Sequence, residues 1–143
     1  MNNSLEPITE FLQAYKAAVY RKDVDAFVAL YDEQIHVFDM WGAWESKGIA
    51  QWRALTLQWF SSLGEDKVVV GVDEAQGYAA GDFASGHAFL TFTAVSKEGQ
   101  QLRSLNNRIT IVLKNNGSSW KAIHQHTSAP IDFSTMQVEL HKA

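Results

Sequence analysis

Trp120-Lys121-Ala122-Ile123-His124-Gln125-His126-Thr127-Ser128-Ala129-Pro130 reads as a strand that ends before a proline. Side chains along a strand alternate between two faces. Ala122, His124, His126 and Ser128 are therefore expected on one face, and Ile123, Gln125 and Thr127 on the other. Two histidines two residues apart either line a cavity or are buried polar groups that need partners. The same period of two runs backward through residues 67–76, 83–95 and 101–114, with an earlier strand at 34–41. The connections at 77–82, 97–99 and 115–119 are rich in Gly, Asn and Asp, which is turn chemistry.

Ahead of the strands the period is helical. Leu5, Ile8, Phe11, Leu12, Tyr15, Ala18 and Val19 recur at spacings of three and four, with Ser4 as the expected N-cap and Pro7 in the first turn. Arg21 and Lys22 suit the helix end. Asp23 is expected to cap a short second helix carrying Val24, Phe27, Val28, Leu30 and Tyr31. Ser46 is expected to cap a third, whose apolar residues are Ile49, Trp52, Leu55, Trp59, Phe60 and Leu63, with Gly64 as its stop. Helices first and an antiparallel meander afterwards define an α+β fold, not a βαβ one. A curved sheet with helices over one face leaves a hollow between them. Its other face is most simply covered by a second copy.

The 143 residues fit one domain, 1–143, with a sizeable core. A net charge of −4 and the lack of any basic run point away from nucleic acid and anionic membrane as partners. There is no cysteine, which excludes disulfides, thiolate metal sites and a cysteine nucleophile and fits a cytoplasmic location. The N-terminus has no signal-peptide pattern, and no apolar run is long enough to span a membrane. Five Trp, four Tyr and eight Phe favour an aromatic cavity or a subunit interface.

Arg108-Ile109-Thr110-Ile111-Val112-Leu113-Lys114-Asn115-Asn116-Gly117, followed by Trp120 to Pro130, resembles the C-terminal hairpin of the SnoaL-like branch of the nuclear-transport-factor-2-like superfamily. It is also similar to the association (hub) domain of calcium/calmodulin-dependent kinase II. Tyr15, Asp23-Val24-Asp25, Val28-Ala29-Leu30-Tyr31, Val37-Phe38-Asp39 and Gly42 resemble ketosteroid isomerase. The resemblance implies a cystatin-like cone: a curved antiparallel sheet wrapped around three N-terminal helices, with a deep pocket and a homodimer through the outer sheet face. It also implies that Asp39 stands where the isomerases keep a proton-shuttling carboxylate, and Tyr15 where they keep an oxyanion-hole tyrosine. The strand that supplies their second, acidic donor here offers Asn106, Arg108 and Thr110 and no acid. Arg108 matches one pocket arginine of the hub, and Thr127 stands where the hub has another.

Each candidate has two readings. Asp39, flanked on its predicted face by Val37 and Trp41, is a carboxylate whose apolar surroundings raise its pKa toward general-base values, or it pairs with Arg108. Tyr15 donates to an oxyanion or is core with a tethered hydroxyl. Arg108, with Thr110 beside it, holds a ligand carboxylate or forms an internal salt bridge with Asp39 or Glu45. His124 and His126 act as ligand donors or acid/base groups, or one of them is structural. His87 has small neighbours that leave room for close approach, with Gly86 a possible bulge. Trp41, Trp44 and Trp59 supply aromatic walls, although helical spacing also makes Trp59 a core residue. A metal would need His87, His36 or Asp39 to converge with the histidine pair, and no helix metal motif supports that, so none is expected.

The function expected is binding of a small organic ligand that carries a carboxylate or carbonyl. If the protein is an enzyme, the chemistry is cofactor-free proton transfer next to a carbonyl: isomerisation, cyclisation or dehydration. The alternative is a non-catalytic oligomerisation or accessory module of the hub type. The tail from Asp132 onward is expected to cover either a subunit partner or the pocket mouth.

Overall fold

The computed structural model describes residues 5–142, so the expected Ser4 cap lies outside the described residues. Helix α1 spans Glu6–Arg21 and buries Ile8, Phe11, Leu12, Tyr15, Ala18 and Val19. Lys22 ends it in a left-handed conformation, its N–H donating to Ala18 and Val19 carbonyls. Asp23 caps α2 (Val24–Val28) by accepting the Ala26 N–H at 3.0 Å. Strand β1 (Tyr31–Phe38) and the short β2 (Ser46–Lys47) precede α3 (Ile49–Ser62). Ser46 is thus a strand residue, and Gly48, with φ +84°, takes the cap position of α3. β3 (Lys67–Ala80), β4 (Phe83–Val95), β5 (Gln101–Asn115) and β6 (Trp120–Ser128) follow, and a small hairpin of β7 (Ile131–Asp132) and β8 (Gln137–Val138) begins the tail. β3 is longer than expected: it runs on through Gly77, and the turn tightens to Gly81-Asp82.

The strand order is β2-β1-β6-β5-β4-β3. Every pairing is antiparallel except β1 with β6, which run parallel because the chain crosses from one to the other through α3 and the whole β3–β5 meander. The parallel pair brings the ends of β1 and β6 to the same edge of the molecule, so residues 39–45 and 129–138 leave the sheet side by side.

The sheet's inner face carries Val68 and Val70, Leu90, Ile109, Ile111 and Leu113, Ala122, Ile35 and Val37, all buried against the helices. Helix α1 reaches the sheet over a glycine pair, Gly77 opposite Gly86. A Cβ on Gly86 would lie 2.6 Å from both Ile8 Cγ1 and the Gln76 carbonyl oxygen, so the close approach depends on these two glycines. Gly86 is therefore a packing glycine; the irregularity on that strand pair is on β3, where Glu74 takes φ +54°.

A second irregularity decides the faces of β6. Val112 pairs with His124 but Leu113 pairs with Ala122, so Ile123 is an extra residue. The bulge turns Ala122 to the inner face together with Gln125 and Thr127, whereas strict alternation had grouped it with the histidines.

Beyond β8 the tail returns along the free edge of β5. Asn106 N–H donates to the Leu140 carbonyl at 2.6 Å, and Lys142 N–H donates to Asn106 Oδ1 at 2.7 Å. This edge opens because β6 ends at Ser128, opposite Arg108.

Candidate functional site

Three inner-face strands and two helices converge on one polar group in an otherwise apolar interior. Asp39 follows β1 directly and continues the inward parity of Ile35 and Val37. Thr127 on β6 donates its hydroxyl to Asp39 Oδ1 at 2.8 Å and accepts the Met40 N–H at 3.0 Å. Burial pushes the Asp39 carboxyl above the ordinary carboxylate range, opposed by the Thr127 hydroxyl and the Met40 N–H.

Tyr15, on the core face of α1, is 4% exposed. Burial raises its phenol pKa, and the nearby Asp39 charge adds to the effect, so its hydroxyl stays protonated and can act as a donor. Tyr31 donates to Gln125 Oε1 at 2.6 Å, and its own pKa is raised by burial and then by Tyr15. Trp52 stands edge-on to Tyr31, with ring centroids 5.6 Å apart, and its indole N–H is near enough to the Tyr31 hydroxyl to oppose the rise in that group's pKa. Asn107, on β5 two residues before Ile109, donates weakly to Met40 Sδ at 3.4 Å and leaves a buried Oδ1 unpartnered. An orphaned polar atom such as Asn107 Oδ1 is uncommon in an interior, and Asn107 reaches the side chain of Met40, the residue after Asp39. The Asp39 charge is near enough to Tyr15 and Tyr31 to add to the effect of burial in raising both phenol pKa values.

The other expected site residues are placed differently. Arg108, Thr110, His124 and His126 were expected to face the hollow, and His87 was a ligand-binding candidate whose face was left open; all five lie on the outer face of the sheet. Cross-strand register sets His87, Thr110 and His126 in one row, and Phe89, Arg108 and Ser128 in the next. The physical reason is β5: its opposite face is Ile109, Ile111 and Leu113, and burying that side against the helices leaves the charged side to water. Asp39 and Arg108 are consequently on opposite faces and form no bridge. Arg108 instead donates from Nε to Ser128 Oγ at 3.1 Å. Glu45 accepts from His36 at 2.7 Å rather than from Arg108. His124 Nδ1 meets the His36 carbonyl at 2.8 Å, a structural bond.

Trp59 packs against Phe27, Phe60 and Phe92 and belongs to the interior. Trp41 and Trp44, by contrast, project from the loop after β1, at 53% and 96% exposure, at the same edge as the fully exposed Phe133 of the tail hairpin. Gln125 and Asn107 were not singled out from the sequence, Thr127 was named only at the position of a hub arginine, and Tyr31 was expected on helix α2, whereas it opens β1. A signal for Asn107 was present: it shares parity with Ile109 and Ile111. For β6 the histidines drew attention to the wrong face. Two concavities lie outside the interior: one of about 380 Å3 on the outer face beside His87, Thr110 and Arg108, and one of about 190 Å3 between Phe89, Arg108, Pro130 and the tail.

A family model for the SnoaL-like domain matches residues 8–132. The chain belongs to the SnoaL-like family. Among solved structures, it is similar to an NTF2-like protein of unknown function from Pseudomonas putida KT2440 at 23% identity and TM-score 0.84, covering 97% of this chain and 95% of that one. A candidate dehydratase of the NTF2-like family from Streptomyces avermitilis matches at 12% identity and TM-score 0.77, over 91% of this chain and 98% of that one. A candidate calcium/calmodulin-dependent protein kinase II association domain from Xanthomonas campestris matches at 18% identity and TM-score 0.69, over 86% and 85%. No curated protein matches the sequence. The cystatin-like, NTF2-like α+β fold expected from the sequence is the fold observed. Among the described residues, no helix is long and apolar enough to cross a membrane and no group of three or more metal-ligating side chains converges.

Proposed function

We propose that this SnoaL-like domain binds a small carbonyl compound at the inner-face cluster and transfers a proton next to its carbonyl group. Asp39 is the base. It removes the α-proton as the carbonyl oxygen gains charge, and Tyr15 donates a hydrogen bond to that oxygen. The proton then returns to another carbon for isomerisation, or the enolate closes a ring or expels a leaving group. These steps need positioned groups and no cofactor. The observation that carries the reading is the half-buried Asp39 carboxyl, raised by burial and held by Thr127 beside the buried Tyr15 hydroxyl. The label of one structural relative, a candidate dehydratase, agrees with this class of chemistry. In this reading Trp41 and Trp44 flank the entrance at the open edge of the cone. The absence of cysteine fits the cytoplasm, the compartment this proposal assigns.

Deuterium exchange at the α-carbon of β-tetralone, followed by proton NMR in D2O, tests the activity. Exchange above buffer background that is lost in Asp39→Asn supports the proposal. Equal exchange by both proteins overturns the role of Asp39.

A second reading is a non-catalytic association module, favoured by the uncovered outer face with its exposed Phe38, Tyr78 and Phe83. Under either reading, two copies pair through that face to form a homodimer. Light scattering separates a dimer from a hub-like ring.

A further inference from the structure

β6 stops at Ser128, opposite Arg108, while β5 reaches back to Gln101. The tail takes the edge that β6 leaves. Asn106 N–H donates to the Leu140 carbonyl at 2.6 Å, and His141 Nε2 meets the Ser104 carbonyl at 2.9 Å. Glu139 N–H donates to the Pro130 carbonyl at 2.8 Å. These bonds pin residues 139–142 between β5 and the segment after β6. The hollow of about 190 Å3 lies there, and its lining includes Phe89, Asn107, Arg108, Pro130, Glu139 and Lys142.

The hollow holds cations beside an aromatic ring. Phe89 and Arg108 are cross-strand partners. Arg108 donates from Nε to Ser128 Oγ at 3.1 Å, which fixes the direction of its guanidinium. Among the described residues it forms no ion pair. Its terminal nitrogens are left for a carboxylate, which arginine binds through two parallel bonds. Lys142 Nζ lies 4.9 Å from the centre of the Phe89 ring. Glu74 is 3.9 Å from that ammonium and shares it, so Arg108 is the main anchor. Acceptors stand beside these cations. Glu139 is exposed and forms no ion pair among the described residues. Asn107 is 7% exposed, donates from Nδ2 to Met40 Sδ and leaves Oδ1 without a partner. A buried acceptor that meets no donor is uncommon.

We propose that this hollow binds a free α-amino acid with a small apolar side chain. The ligand's carboxylate takes Arg108, with Lys142 beside it. Its ammonium takes Glu139, with Asn107 Oδ1 as a second acceptor, and its side chain lies on Phe89 and Pro130. Cations and a carboxylate around one hollow suit a zwitterion. A plain carboxylic acid would set a like charge against Glu139, and a plain amine would leave Arg108 unpaired. The hollow is smaller than the roughly 300–1,000 Å3 of pockets for drug-sized ligands, which limits the ligand to this scale. The site does not depend on the Asp39 chemistry, because Arg108 and Asp39 lie on opposite faces of the sheet.

Isothermal titration calorimetry of the full chain with L-leucine tests this. Two analogues accompany it: 4-methylpentanoate, which lacks the amine, and 3-methylbutylamine, which lacks the carboxylate. The expected result is saturable L-leucine binding with a Kd of about 1 mM or tighter, and binding of each analogue at least tenfold weaker. Arg108→Gln should weaken L-leucine binding by tenfold or more, with circular dichroism confirming that this exposed substitution leaves the fold intact. Glu139→Gln should weaken L-leucine binding and leave 4-methylpentanoate binding equal or tighter, a divergence that misfolding would not produce. The absence of saturable L-leucine binding, or unchanged binding in Arg108→Gln, overturns the site. Binding of 4-methylpentanoate as tight as that of L-leucine overturns the amino-acid assignment.

Discussion

The Thr127 hydroxyl lies 2.8 Å from Asp39 Oδ1, joining the exit of β1 to the inner face of β6. The contact is possible only because these two strands run parallel and end at the same edge. It holds a partly desolvated carboxylate in one orientation, with the Met40 N–H also acting on it. Replacing Thr127 by Val removes the bond and preserves the shape. The Asp39 carboxyl should then titrate higher still, because the bond opposes the effect of burial. Carbon-13 NMR of the carboxyl across pH 3 to 8 checks the direction.

Asp39 should also make the folded chain less stable at neutral pH than its amide counterpart. Its folded pKa lies above the unfolded one, so the folded chain holds the proton more tightly. The favourable contribution is present below the unfolded value, about 3.9, and is lost as pH rises through the folded value. Asp39→Asn, which keeps an acceptor for Thr127, should raise Tm at pH 7 by a few degrees, about what 1 kcal/mol produces in a domain of this size. The gain should shrink toward zero as pH falls to 4. A gain that persists unchanged in acid would contradict the assignment.

Tyr31→Phe isolates the second buried bond. Gln125 is 1% exposed and its Oε1 would lose the hydroxyl at 2.6 Å. An unsatisfied buried acceptor costs about 1–3 kcal/mol. Urea unfolding should show that loss with an unchanged m-value.

Gly86→Ala probes the seat of α1. The added methyl would stand 2.6 Å from both a backbone carbonyl and Ile8, neither of which can yield cheaply. Destabilisation of about 2–3 kcal/mol is expected from this overpacking. A neutral result in thermal unfolding would mean that α1 sits farther from the sheet.

The tryptophans should divide sharply. Trp52, buried on Phe27 and Tyr31, should cost about 3–5 kcal/mol when cut to Ala. Trp44, 96% exposed, should change stability by less than about 0.5 kcal/mol. If its loop flanks the entrance, Trp44→Ala should still reduce β-tetralone exchange, a loss visible in activity and not in Tm.

Much of the fold was written in local patterns. The three- and four-residue spacing of α1, the Asp23 cap, the spans of β4 and β6 and the α+β order were legible because each depends on neighbours along the chain. The candidate site was legible only in part. Asp39 and Tyr15 were named through the isomerase resemblance, and the parity of Val37 and the three- and four-residue spacing of α1 put both on inward faces. Gln125 and Asn107 were not named, Thr127 was named only by its place in the hub resemblance, and four outer-face residues, Arg108, Thr110, His124 and His126, were expected inside.

The amino-acid order alone thus determined the helices α1 and α3, the meander of strands β3 to β6 and the alternation along β4 and β5, while β2, the start of β1 at Tyr31 and the inward turn of Ala122 were not legible in it. What it left undecided was which of two alternating faces meets the helices. The bulge at Ile123, the irregularity near Glu74 and the parallel seating of β1 on β6 settled that, and all three are pairings between segments far apart in sequence. A strand's side chains are symmetric about its backbone until something packs on one side; the apolar side of β5 took the helices, and the histidines and Arg108 went outward as its consequence.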